Sequence, residues 1–360
     1  MSARGVGDRL TAGWDEGFRG LTGLALGTTA GIYRGVLEAR RGLYRLGILR
    51  ARAVPCPVVS IGNLTVGGTG KTPAVELAAR TLMEGGHRPA IVSRGYRRKS
   101  RGVQVVADSA SIRLEPDEAG DEPFLLARRL PGVPVVVGAD RWQAARVALD
   151  RCGATAIVLD DGLQQRTLAP SVSVVMARGR RPWGNGQLLP AGPLREPLSA
   201  LARADLVVAV GADDAGFDEV RATVGRHAPH VAVARAVLEP IACWDARRMD
   251  ALPLARLAEL RVVPFAGIAS PAAFAMTLRQ LGASDDVIVF PDHHWYSRDD
   301  LRALEARAAT ADALVTTEKD WVRLRGRWSA RAPLYVVSVV LRLVSGAAAW
   351  RAALAKCRRA

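Results

Sequence analysis

The chain has 360 residues, 49% of them hydrophobic and 24% charged, which is ordinary for a folded enzyme and suggests two domains, each with its own core. Its formal net charge of +15 is not ordinary. It points to a polyanionic partner (nucleic acid, an anionic membrane surface or a phosphorylated substrate) or to the arginine-rich composition of a GC-rich genome. Four scattered cysteines, Cys56, Cys152, Cys243 and Cys357, form no C-x-x-C pair. That argues against a zinc site or disulfide framework and for a reducing compartment.

Residues 18–37 read FRGLTGLALGTTAGIYRGVL and lead into EARRGLYRLGILRAR. The uncharged run Leu21–Tyr33 is well short of the roughly 20 residues that span a bilayer. It also lacks a small-residue cleavage site, so no cleavable signal peptide is expected. Arginines 34, 40, 41, 45, 50 and 52 follow, interleaved with Leu, Tyr and Ile. This pattern suits a helix lying in a membrane interface, and also a helix packed on the protein's own core; the arginines favour the membrane.

From residue 57 short apolar runs alternate with helical stretches. PVVSIGNL reads as a strand, followed by a glycine-rich loop and a helix from about Thr72 to Met83. RPAIVSRGY, VPVVVGADR, AIVLDDGLQ, VSVVMAR and ADLVVAVGA are further strands. The alternation predicts an α/β fold, a mostly parallel sheet with helices on both faces. After residue 226, HVAVARAVLEPIACWDARRMDALPL reads as a strand pair joined by a turn, and RVVPFAGIA, DVIVF, ALVTTEKD and LYVVSVVL make a second, smaller α/β set. The expected organisation is an N-terminal basic amphipathic membrane-associated helix (1–52), a P-loop domain (53–226), a linker strand pair (227–258), and a smaller α/β lobe with a C-terminal tail (259–360).

The stretch SIGNLTVGGTGKTPAVE carries the sharpest signal. It ends its loop in Gly70-Lys71-Thr72, the close of a phosphate-binding loop, but Thr65 stands where the usual pattern has its first glycine. Gly67, Gly68 and Gly70 supply a tight backbone, Lys71 the charge for the outer phosphates, and Thr72 a hydroxyl for magnesium. Pro73 is tolerated at the helix start, where its missing N–H has no partner to lose. Asp160 and Asp161 emerge at the carboxyl end of the strand in AIVLDDGLQ, where open parallel sheets bind ligands, and are the expected magnesium holders. Asp121 and Glu122 in AGDEPFLLA suit helix capping as well as chemistry. In FPDHHWY, His293 beside Asp292 and His294 suits proton abstraction with a carboxylate better than metal binding. The basic loop SRGYRRKSRG around Tyr96 fits either nucleic acid or a phosphorylated substrate. TTEKD, residues 316–320, only superficially matches the guanine reader of GTPases, because its lysine and aspartate are adjacent.

Taken together, these segments resemble the tetraacyldisaccharide 4'-kinase family, the lipid A 4'-kinases of Gram-negative bacteria. The resemblance runs in order through VSIGNLTVGGTGKTP, IVSRGY, GDEP, GADR, VLDDGLQ, LLPAGPLREP, FAGIASPAAF, FPDHH and TTEKD, over about residues 20–340. The family's loop also carries Thr at the first glycine position. The resemblance implies transfer of the ATP γ-phosphate to the 4'-hydroxyl of a membrane-embedded tetraacyldisaccharide 1-phosphate, at the cytoplasmic face of the inner membrane. It implies ATP and Mg2+ as cofactors, an anionic membrane surface as partner, and no nucleic acid. Residue by residue, it implies that Thr65, Val66, Gly67, Gly68, Thr69, Gly70, Lys71 and Thr72 hold the ATP phosphates. Asp121 matches the general base and His293 its partner. Thr72, Asp160 and Asp161, with Glu196, handle the metal. Tyr96, Arg141 and Gln164 surround the nucleotide or acceptor. One departure is Leu163, where the family usually has an aromatic residue, and it is expected to alter local packing only. A switch or metal-chaperone NTPase competes with this reading; such proteins often carry a lysine just before the paired glycines, where this chain has Val66. A basic scaffold with a degenerate nucleotide site is countered by the intact Lys71-Thr72.

Overall fold

The computed structural model describes residues 14, 17–18, 20–328 and 332–357. The expectations for residues 1–13 and for the last residues of the tail lie outside these. Helix α1 (Gly20–Arg45) comes first. Leu26, Ala30, Tyr33, Leu37, Arg40 and Tyr44 recur at helical spacing on its partly buried face, while Leu24, Ile32 and Val36 face outward and are at least 60% exposed. No described helix is long and apolar enough to cross a membrane.

The first set follows: β1 (Val58–Gly62), α2 (Lys71–Glu84), β2 (Pro89–Ser93), β3 (Gln104–Ala107), α3 (Pro116–Ala119), α4 (Asp121–Arg129), β4 (Val135–Val137), α5 (Arg141–Cys152), β5 (Ala156–Asp160), β6 (Val172–Arg178), β7 (Leu206–Val210) and α6 (Asp214–His227). Central strands β1, β2 and β5 are buried along their whole length, which is why they read as continuous apolar runs. Val59, Ile61 and Val158 point to the face covered by Ala74, Val75 and Ala78 of α2. Val58, Ile157 and Leu159 point to the opposite face, under Ala144, Ala145 and Ala148 of α5.

Then come β8 (Ala232–Asp245), β9 (Ala251–Leu252), β10 (Val262–Ala266), α7 (Pro271–Gln280), β11 (Ile288–Val289), α8 (Arg298–Ala308), β12 (Ala313–Thr317), α9 (Glu318–Leu324), β13 (Leu334–Ser345) and α10 (Ala347–Ala355). The expected strand pair exists, with Cys243 opposite Leu252 and Trp244 opposite Ala251. It is more than a linker. Among the described residues one sheet runs β11-β10-β12-β13-β8-β7-β6-β1-β5-β2-β4-β3, so the two expected lobes share their hydrogen bonding.

The register explains how the lobes meet. β8 pairs in parallel with β7 only over Ala232–Ala236, then runs on past the carboxyl end of β7. Its remainder pairs antiparallel with β13, and the start of β13 takes β12 in parallel. The second lobe therefore lies beyond the carboxyl edge of the first, with its strands running back toward it. The carboxyl ends of both strand sets face the same cleft.

Candidate active site

At the carboxyl end of β1 the chain makes the loop Asn63–Gly70. Asn63 is fully buried, and its amide donates to the Thr65 carbonyl at 2.6 Å and to Thr69 Oγ1 at 3.0 Å, which folds the loop back on itself. Thr65 forms an antiparallel bridge with Leu194, and the Val66 N–H donates to the Pro193 carbonyl at 2.9 Å. An extended bridge needs no glycine, which is the physical reason threonine is accommodated there. Left-handed backbone is confined to Gly67 (φ 102°) and Gly70 (φ 77°). A Cβ on Gly67 would stand 2.1 Å from Arg178 Nη2. Gly70 precedes α2, whose N-terminus has no side-chain cap, so its free N–H groups face the loop. Gly68 lies against Ala269 and Ser270 of the second lobe.

Lys71 Nζ is 3.7 Å from Asp161 Oδ1, and Thr72 is buried beside it. Asp160 ends β5, where Ser93 Oγ donates to its Oδ2 at 2.9 Å. Burial first, then Glu122 and Asp161, push the Asp160 carboxyl up to about 6, against the pull of Lys71. Asp161 has left-handed backbone (φ 52°) and accepts from Arg195 Nη1 at 2.8 Å. Burial pushes its carboxyl up, but Lys71 and Arg195 outweigh it and hold the carboxyl below the usual value. Asp160 Oδ1 and Asp161 Oδ1 are buried without a hydrogen-bond partner. Two such carboxylate oxygens at one sheet edge, with the Thr72 hydroxyl, fit a hard cation like Mg2+. No group of three His, Cys, Asp or Glu side chains able to hold a metal exists among the described residues. Mg2+ needs none, since it is usually held by one or two carboxylates, waters and phosphate oxygens.

Near this cluster Asp121 opens α4 after Gly120, a glycine at φ 91°. Its Oδ1 accepts the Glu122 N–H at 3.0 Å, and His293 Nδ1–H donates to its Oδ2 at 2.8 Å. Arg323 Nε lies 3.7 Å from the same oxygen. Burial raises the Asp121 carboxyl, but the His293 hydrogen bond and charge, Arg323 and Lys319 together hold it below the ordinary value. Burial lowers the His293 imidazole, and Asp121 above all, then Asp292 and Glu122, bring it above its ordinary value. Glu122 pairs with Lys319. Tyr96 stands against the His293 ring, with centroids 5.4 Å apart.

The sequence profile described as tetraacyldisaccharide-1-P 4'-kinase matches residues 23–358. The chain belongs to this family. The tetraacyldisaccharide 4'-kinase of Anaeromyxobacter dehalogenans (strain 2CP-C) is 45% identical over 332 residues, covering 90% of this chain and 87% of that protein. That of Syntrophus aciditrophicus is 42% identical over 330 residues, covering 86% and 87%. The crystal structure of LpxK from Aquifex aeolicus in complex with ATP matches with a TM-score of 0.73 at 29% identity, covering 92% of this chain and 98% of that one.

Thr65 to Thr72 form the loop, and Lys71, Thr72, Asp160 and Asp161 converge on one edge. Asp121 and His293 meet although they are 172 positions apart in sequence. Arg141 is buried, bonds the Gly138 and Ala139 carbonyls, and has Asp160 and Asp161 among its charged neighbours. Gln164 braces the loop by donating to the Asn63 carbonyl at 2.9 Å. Leu163 is buried with Leu64, Val175 and Ala177.

Glu196 is not brought into the cluster. It faces Arg203 at 2.8 Å and Arg166 at 3.5 Å, with Arg40 and Arg41 of α1 among its charged neighbours. Its neighbour Arg195 faces Asp161 instead, at 2.8 Å. Arg195, Ser93, Asn63, Lys319 and Arg323 are the site-facing residues that the sequence reading left without a role. For Arg195 and Lys319 the signal was present, in LREP and TTEKD, but spacing does not say which side chain of a motif faces inward.

Proposed function

We propose that this chain transfers the γ-phosphate of ATP to the 4'-hydroxyl of a tetraacylated glucosamine disaccharide 1-phosphate, yielding the bis-phosphorylated lipid A precursor. One observation carries the reading: a phosphate loop with its acidic strand end lies close to an Asp–His dyad, with Glu122, next to Asp121, a charged neighbour of both Lys71 and Asp160. Phosphoryl transfer needs positioning and charge neutralisation more than covalent help. The loop N–H groups and the start of α2 bind the triphosphate, and Lys71 meets its outer charge. Thr72, Asp160 and Asp161 would hold Mg2+, which when bound neutralises phosphate oxygens. Asp121 is the base and His293 its partner. The two titrate as one unit, into which the hydroxyl proton passes as the sugar oxygen attacks. Tyr96 and Arg141 flank the reacting groups, and Gln164 keeps the loop in shape.

We also infer that α1 lies on the anionic cytoplasmic leaflet. Its outward Leu24, Ile32 and Val36 enter the interface while its exposed arginines, Arg34 and Arg45, meet lipid phosphates. Tyr33 of α1 donates to the Arg195 carbonyl at 2.9 Å, so the helix is joined to the residue that braces Asp161. An acylated acceptor anchored in the leaflet then reaches the cleft without leaving the membrane.

The test is transfer of labelled γ-phosphate from Mg-ATP to tetraacyldisaccharide 1-phosphate in detergent micelles. Wild type transfers label only with acceptor present, and Lys71→Ala and Asp121→Ala each lose at least about a hundredfold in kcat. ATP hydrolysis without acceptor phosphorylation would sink the kinase reading. Undiminished transfer by Asp121→Ala would return that residue to capping α4.

A further inference from the structure

The helix that begins in TTEKD backs the dyad, with Lys319 facing Glu122 and Arg323 facing Asp121. We propose that Arg323, on α9, is a positioning residue that ties Asp121 and the loop bearing His293 to one buried anchor. This rests on the reading of Asp121 and His293 as the proton-accepting dyad.

The anchor is Asp320, fully buried within the protein. One of its oxygens accepts from the Gly267 N–H at 2.8 Å, from Tyr296 Oη at 2.6 Å and from Arg323 Nη2 at 2.9 Å; the other accepts from Thr317 Oγ1 at 2.7 Å. Arg323, 1% exposed, spends its fork in fixed directions. Nη1 donates to the Gly267 carbonyl at 2.8 Å and Nε to the Lys319 carbonyl at 3.0 Å, while Nε also lies 3.7 Å from Asp121 Oδ2. The Gly267 carbonyl accepts the His293 N–H at 3.1 Å as well. One guanidinium therefore reaches both halves of the dyad: Asp121 by charge, and His293 through the carbonyl that fixes its backbone.

Gly267 is itself constrained. A Cβ there would lie 3.1 Å from the Pro291 carbonyl and 3.2 Å from Asp320 Oδ1. His293 has left-handed backbone (φ 58°), a conformation that persists only when its surroundings over-determine it. Lys319, one turn before Arg323, answers Glu122 as Arg323 answers Asp121, so α9 sends two cations to two adjacent carboxylates. The charged groups facing Asp121 are thus Glu122 on its own helix, His293 with Asp292 on the loop, and Lys319 and Arg323 on α9.

Removing Arg323 alone strands the Asp320 charge and endangers folding. The test is therefore the neutral pair Asp320→Asn with Arg323→Met, alongside Arg323→Lys. In the pair, loss of the cation raises the proton affinity of the dyad. The acid limb of kcat/KM moves to higher pH, and the rate on that limb drops roughly three- to tenfold. Arg323→Lys keeps the charge but not the fork, so its limb stays in place while kcat falls across the whole profile. Titration of the Asp121 carboxyl carbon by NMR reads the same shift without catalysis. An unmoved Asp121 titration in a folded pair variant overturns the inference. Full activity of Asp121→Asn would instead overturn the dyad reading, and the NMR titration would still decide whether Arg323 acts on Asp121.

Discussion

Asp121 and His293 perturb each other in opposite directions, and the signs define a stability window. The Asp121 carboxyl is held below its ordinary 3.8 in the folded protein, so its contribution is present above that pH and lost as pH falls through the folded value. The His293 imidazole is held above its ordinary 6.5, so its contribution is present below 6.5 and lost as pH rises through the folded value. Both contributions are whole between about 4 and 6.5, where the pair is ionised on both sides. Asp121→Asn is expected to cost about 1–3 kcal/mol there and less at pH 9, because a charge-assisted bond becomes a neutral one. Urea melts of the two proteins at pH 5.5 and 9 measure it. A difference equal at both pH values would mean that the pair is not ionised. In the sequence the same aspartate suits a helix start, and the structure gives it that task as well: one oxygen takes the Glu122 N–H, the other takes His293. Local pattern could show the first partner only, because the second lies in the other lobe.

The loop after β5 shows how backbone closeness sets the acidic pair. Gly62, ending β1, has Leu163 against it, and an added Cβ would lie 2.5 Å from Leu163 Cβ and 2.8 Å from its N. Both are near-rigid atoms, so the turn Asp161–Leu163 must move. Gly62→Ala is expected to cost roughly 1–3 kcal/mol and to lower phosphate transfer roughly tenfold or more by displacing Asp161. Gly225, inside α6 with nothing within 4 Å of an added Cβ, is the control. There Ala should stabilise by roughly 0.5–1 kcal/mol and leave transfer unchanged. Thermal melts and the transfer assay on both variants check this, and equal behaviour would refute the packing argument. Strands β1, β2 and β5 were legible because they are buried on both faces. β8 was legible as one member of a strand pair, but its role in joining the two strand sets was not: over 14 residues most of its positions are only partly buried, and its pairing with β7 and β13 is something no local pattern records. β3 was missed for a related reason, as a short edge strand with half its residues partly exposed.

At the scale of the molecule, the sheet decides how the two strand sets meet. The long pairing of β8 with β13 turns the second lobe back toward the first, where Gly68 of the phosphate loop lies against Ala269 and Ser270, and His293 reaches Asp121. Helix α1 packs through Tyr33 and Leu37 on the core cluster that holds Leu64, Leu163 and Val175. The cluster Arg40, Arg41, Arg166 and Arg203 around Glu196 lies at the same junction, so Glu196 sits between helix and body. A helix of 26 residues is about 39 Å long, enough to lie along the surface with an apolar strip outward. If α1 docks the kinase on an anionic leaflet, each arginine near the surface adds roughly 1 kcal/mol and each buried side chain roughly 1.5–3 kcal/mol. The two contributions separate by salt, since screening weakens only the first. Binding to vesicles containing anionic lipid should fall steeply between 0.05 and 0.5 M NaCl (roughly Debye lengths of 14 and 4 Å) without vanishing. Leu24→Ser with Ile32→Ser and Val36→Ser should remove the salt-resistant part and leave the nucleotide site intact, read as unchanged ATP binding. Cosedimentation of both proteins across the salt series measures this. Wild type that ignores anionic lipid at low salt would show that the helix packs only on its own core, and the basic excess would then serve the phosphorylated acceptor alone.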